Sequence, residues 1–126
     1  MTAELLPKLE CDDMTATSTL DGDDVRFALE GTADTQSRVA LEKYVDQLHA
    51  EALRRAIKVV HVDLRQLEFM NSSSLKVFVA WLARLNDLAP EQQYRLVLHS
   101  NPQLLWQRRS LAALSCFAAD LVTIET

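Results

Sequence analysis

From residue 35 onward the hydrophobic period switches repeatedly between that of a helix and that of a strand, and no other feature restricts the fold as much. Leu41, Tyr44, Val45, Leu48, Ala52 and Leu53 fall at spacings of three and four, the stripe of an amphipathic helix over about 35–56. Asp34 or Thr35 is placed to act as its N-cap. Lys58-Val59-Val60-His61-Val62-Asp63-Leu64 is a β-branched run of the kind found in strands covered on both faces. Leu75, Phe78, Val79, Leu82 and Leu85 mark a second helix over about 72–88, stopped before Pro90. Tyr94–His99 reads as a strand. Pro102 then opens a third helix at its first position, where a missing N–H does no harm. Leu121–Ile124 closes the chain as a strand.

Ahead of this alternation, Thr15–Leu20 and Val25–Gly31 flank the turn residues Asp21-Gly22-Asp23-Asp24, which predicts a β-hairpin. Val25, Phe27 and Leu29 alternate with Arg26, Ala28 and Glu30, so one face of that strand is buried. The Thr-rich first run suits a sheet edge, and residues 1–13 read as a loosely held tail. The expectation is therefore one α/β domain over residues 14–126, with elements in the order β-β-α-β-α-β-α-β. Right-handed crossovers would give a mixed sheet of four or five strands with helices packed on it.

The 126 residues suffice for one core and one domain. With 13 Lys and Arg against 18 Asp and Glu, the net charge of −5 excludes the clustered basic surface that nucleic acid requires. No run of about 18 apolar residues and no basic, apolar leader are present, so the expectation is a cytoplasmic chain that does not insert into membrane. Cys11 and Cys116 lie far apart and read as reduced structural thiols. Two glycines, Gly22 and Gly31, supply neither a P-loop nor a dinucleotide fingerprint, and no cofactor is expected. His49, His61 and His99 share no metal-ligand spacing and read as structural or surface residues. A hydrolase built from Ser72, His61 or His99, and Asp63 lacks the GxSxG elbow and a glycine to open an oxyanion hole. Trp81 is open to two readings, core or partner contact.

The informative stretch is Asn71-Ser72-Ser73-Ser74 at the start of the second helix. Asn and Ser cap helices because their side-chain oxygens accept the first N–H groups. The same N–H groups and the helix dipole welcome an oxyanion. A phosphate placed there adds roughly −1.5 to −2 charges without opposing the helix. What it changes is the surface a partner would meet.

Val62-Asp63-Leu64, Leu67, Phe69-Met70 and Asn71-Ser72-Ser73-x-Leu75 together are similar to the signature of STAS domains, the anti-sigma-factor antagonists of bacteria. The resemblance spans roughly residues 14–126. It implies a protein-binding switch rather than an enzyme, with Ser72 as the phosphorylated residue, Asn71 at the position of the usual Asp, and Ser73 as its hydroxyl neighbour. Asn71 in place of the acid and Ser74 in place of glycine depart from that pattern. Asn71-Ser72-Ser73-Ser74-Leu75-Lys76 also resembles small STAS-like regulators carrying Asn-Thr-Ser-Ser-Ile-Lys.

The implied docking surface comprises Asn71, Ser72, Ser73, Ser74 and Lys76, with Thr32 and Asp34 from the neighbouring loop. The implied partners are a serine/threonine protein kinase of the anti-sigma-factor type and a matching phosphatase, within a sigma-factor pathway or one ending on a diguanylate cyclase. The alternative is a constitutive STAS subunit of a larger assembly, a stressosome or a lipid-transport ABC complex, in which Ser72 stays unmodified.

Overall fold

The computed structural model describes residues 2–126. Six strands form one sheet in sequential order: β1 (Thr2–Cys11), β2 (Met14–Asp21), β3 (Asp24–Ala33), β4 (Val59–Met70), β5 (Arg95–His99) and β6 (Val122–Glu125). The first three run antiparallel through tight turns, and β3 to β6 are parallel. Each parallel step is bridged by a helix: α1 (Arg38–Arg54), α2 (Ser72–Asn86) or α3 (Leu105–Phe117).

The mixed α/β sheet and the helix order agree with expectation, while the strand count is six rather than four or five. The segment expected as a tail holds β1, which pairs with β2 from Thr2↔Asp21 to Cys11↔Met14. Its Leu5, Leu6 and Leu9 pack on the core, interrupted by Pro7 and two register shifts. That irregularity blurs the period of two in the sequence and suits an edge strand, where Pro is tolerated. The Thr-rich β2 is consequently an inner strand.

Burial alternates along the inner strands. Val25, Phe27 and Leu29 of β3, Val60, Val62 and Leu64 of β4, and Leu96 and Leu98 of β5 are buried together with Leu41 and Leu48 of α1 and Phe78 and Leu82 of α2. The other face carries Arg26, Glu30, His61, Asp63, His99 and Glu125; because β3 to β6 follow in sequential parallel order, right-handed crossovers put all three helices on the opposite face. The β4 run is thus covered on one face, not both.

Helix boundaries shift for local reasons. Residues 35–37 form turns before α1, and the formal N-cap is Ser37, whose hydroxyl bonds back to Asp34 and caps no N–H of the helix. Asp34 nonetheless accepts from the N–H groups of Gln36 at 3.0 Å and Ser37 at 3.2 Å, doing the cap's work one turn early. Pro102 lies in a turn, not at the first helical position, because Asn101 closes an Asx turn onto the Gln103 N–H at 3.0 Å and α3 begins at Leu105. No helix among the described residues is long and apolar enough to cross a membrane.

Candidate functional site

Two departures from regular pairing carry β4 to the site. Relative to β3 its register slips between Ala28 and Glu30 and again between Gly31 and Thr32, each time with an extra residue on β4. Its burial accordingly changes from every second residue to every third after Leu64. Asp63 helps make the first irregularity: its carboxylate accepts from the Arg65 backbone N–H at 3.1 Å and from the guanidinium at 2.9 and 2.8 Å. That guanidinium holds the Asp63 carboxyl below the usual carboxylate range. The second slip leaves Phe69 about half exposed, at 48%, beside Thr32 on β3. β4 then ends at Met70, opposite Ala33.

The helix that follows is tied to the β3–α1 loop by side chains of the Asn-Ser-Ser-Ser motif. Asn71 adopts an extended backbone, and its Oδ1 accepts from the Ser74 N–H at 2.9 Å, as an N-cap does. Its Nδ2 donates to Thr35 Oγ1 at 3.0 Å, and its own N–H donates to the Ala33 carbonyl at 3.0 Å. Ser74 is fully buried, and its hydroxyl donates to the Asp34 carbonyl at 3.0 Å. The Asp34 carboxylate serves its own turn. Three motif positions therefore have distinct settings: Asn71 and Ser74 build the junction, and Ser72 stands exposed on it.

Around Ser72 the surface is mixed. Ser73 is half-buried, and Lys76, one helical turn on, is exposed. A cleft between α1 and α2 brings Lys76 together with Arg38 and Arg84, against Glu42 and Asp46. Thr32 is half-buried and spends its N–H on the Asp13 carbonyl at 3.0 Å.

Other singled-out residues lie elsewhere. Trp81 is core, 1% exposed, and donates through Nε1 to Tyr94 Oη at 2.6 Å, whose hydroxyl lies 2.7 Å from His49 Nδ1. Trp106 donates to the Leu67 carbonyl at 3.2 Å, and the half-buried Cys11 and exposed Cys116 are free thiols. His61 and His99 bond to each other at 3.0 Å on the helix-free face of the sheet, and His61 also faces Asp24, so neither is spent on Ser72. The exposed Phe69 and the Asn71–Thr35 bond were missed from sequence; the only signal for Phe69 was an aromatic residue breaking the strand's alternation.

Solved structures share this fold. An anti-sigma factor antagonist from Mycobacterium paratuberculosis superposes with a TM-score of 0.66 and 18% identity, over 89% of this chain and 86% of that one. The anti-sigma factor antagonist SpoIIAA, in its unphosphorylated form, gives 0.61 and 16%, over 88% of both chains. The chain thus has the STAS fold of its structural neighbours. No family model and no curated protein matches the sequence.

Proposed function

We propose that this chain is a protein-binding switch of the anti-sigma-factor-antagonist kind, turned by phosphorylation of Ser72. The observation that carries the reading is the division of labour within the motif: Ser72 is the exposed hydroxyl on a junction that Asn71 and Ser74 hold rigid. A kinase can reach it without unfolding anything. The fold, shared with two proteins described as anti-sigma factor antagonists, supports the same reading.

A phosphate on Ser72 would sit at the first residue of α2. The Asn71 side chain occupies the Ser74 N–H, so the N–H groups of Ser72 and Ser73 remain to face the anion. The helix terminus favours that charge by about 0.3–2 kcal/mol. Lys76 lies four residues on, the helical neighbour position, and adds an attractive cation. The folded state therefore tolerates the modification.

A partner does not. Docking over the first turn of α2 and the exposed Phe69 just before it would cover the Ser72 hydroxyl. A dianion at that point must be desolvated or repelled, at a cost of several kcal/mol. The dephosphorylated form binds, and the phosphorylated form is released or redirected. The partner proposed is a serine/threonine kinase of the anti-sigma-factor type, with a phosphatase to reset the switch, in the cytoplasm of a bacterium.

Phosphosite mass spectrometry on the protein recovered from its own cells, with partner capture by the Ser72→Ala and Ser72→Asp variants, tests this. Phosphate on Ser72, with capture kept by Ser72→Ala and reduced at least tenfold by Ser72→Asp, is expected. Equal capture by both variants and an unmodified Ser72 under growth and stress would replace the switch with a constitutive subunit of a larger assembly.

A further inference from the structure

Away from the Ser72 surface, four titratable side chains from four different strands line up across the helix-free face of the sheet. Asp24 of β3 lies 3.3 Å from His61 Nε2 on β4. His61 Nδ1 lies 3.0 Å from His99 Nε2 on β5, and His99 Nδ1 lies 3.7 Å from Glu125 on β6. Both rings are mostly covered, their side chains 22% and 19% exposed. The residues are far apart in sequence, and only the parallel register of β3 to β6 brings them into a row.

The ring centres are 5.2 Å apart. That exceeds the 3.0 Å nitrogen separation by close to two ring radii, so both nitrogens lie nearly on the line between the centres. The rings meet head-on, the arrangement of a single N–H···N hydrogen bond. A metal ion would instead need the lone pairs to converge off that line, and among the described residues no group of three His, Cys, Asp and Glu is placed to hold one. The occupant of the gap is a proton.

In the neutral row one tautomer pair meets both the 3.3 Å and the 3.0 Å bonds. His61 donates from Nε2 to Asp24 and accepts at Nδ1 from His99 Nε2–H, which leaves His99 Nδ1 bare before Glu125. One added proton puts a hydrogen on both outer nitrogens and leaves one in the gap, so the cation belongs to the pair and every bond is retained. A second must go to His61 Nδ1, where it meets the His99 N–H across 3.0 Å. Two donors and two cations then oppose each other, and the bond is lost.

We propose that His61 and His99 form an acid-responsive clasp between β4 and β5, which takes up one proton with its bond intact and opens when the second arrives. Around the clasp, β3 presents Asp24 and Arg26, β4 presents Asp63 paired with Arg65, and β6 presents Glu125. Burial, the neighbouring His61 and Arg26 hold the His99 imidazole below its ordinary value, while Glu125 and Asp63 oppose them. The sheet's open face so gains charge in two separated steps as the medium acidifies, and the second step breaks the side-chain bond between β4 and β5, whose backbone ladder remains.

The test is an NMR titration of the histidine ring nuclei in the full chain. Two apparent transitions for the pair, more than about one pH unit apart, are expected, with both rings responding to each. His61→Gln should collapse the two steps into a single His99 transition lying between them, whereas Glu125→Gln should move the His99 response down. Independent single transitions for His61 and His99, with His99 unmoved by both substitutions, would overturn the clasp. The wild-type titration decides by itself if either variant proves unstable.

Discussion

Replacing Tyr94 by Phe removes one oxygen atom and leaves two buried polar groups without a partner. Tyr94 is 1% exposed, and its hydroxyl receives the Trp81 indole N–H at 2.6 Å and faces His49 Nδ1 at 2.7 Å. Trp81 and His49 are 1% and 4% exposed, so solvent cannot readily substitute. Burial holds the Tyr94 phenol well above its ordinary value, which keeps it protonated and able to donate to His49. Phe fills the same space, so no cavity contributes. Each stranded group costs about 1–3 kcal/mol, and the pair together about 2–6 kcal/mol. Against a total stability of roughly 5–15 kcal/mol this is severe.

Urea unfolding followed by tryptophan fluorescence should show a lower midpoint with an unchanged slope. The melting temperature should fall by roughly 10 °C, at about 3–5 °C per kcal/mol for a chain of this size. A double-mutant cycle with Trp81→Phe should give a coupling well above 0.5 kcal/mol, a threshold of about the size at which independent sites still add. A loss under about 0.5 kcal/mol for Tyr94→Phe, or additivity in the cycle, would refute the reasoning.

Gly31→Ala should destabilise by about 2–5 kcal/mol, because φ is +90° and the new Cβ would come 1.9 Å from the Asp13 carbonyl oxygen; thermal melting measures it. Ser74→Ala should cost about 0.5–1.5 kcal/mol by loss of its buried bond to Asp34, whereas Ser72→Ala, at an exposed hydroxyl, should change stability by less than about 0.5 kcal/mol. Denaturant midpoints for the two variants separate the serine that builds the site from the serine proposed to be modified. Stability should also fall as pH drops below about 6.5, the ordinary histidine value. His49, chiefly by burial, and His99 both titrate below that value in the fold, so the unfolded chain takes up protons first. Their contribution is complete above pH 6.5 and is lost progressively below it, which midpoints measured across pH 5–7.5 would reveal.

Much of this architecture was legible in one dimension because side-chain period reports directly on burial. Val25, Phe27 and Leu29 at a period of two, and the stripe from Leu41 to Ala52 at three and four, place β3 and α1 without reference to anything distant. The Asn71-Ser72-Ser73-Ser74 cap was readable for the same reason, since a helix N-terminus is satisfied by residues within one turn. Where local regularity failed, so did the reading. The Pro7 kink hid β1, and the two register slips in β4 obscured both its length and the exposure of Phe69.

The amino-acid sequence by itself determined the α/β alternation, the single core and the helix terminus that carries Ser72, because each follows from contacts a few residues apart. Tertiary structure alone decided which serine is exposed and which is buried, since that depends on the Asp34 loop, 40 residues from Ser74. It likewise decided that Trp81 belongs to a buried triad with Tyr94 and His49, and that His61 meets His99 between two carboxylates. These are pairings between strands and helices. Their geometry is set by the register of a whole sheet, which no single stretch of chain encodes.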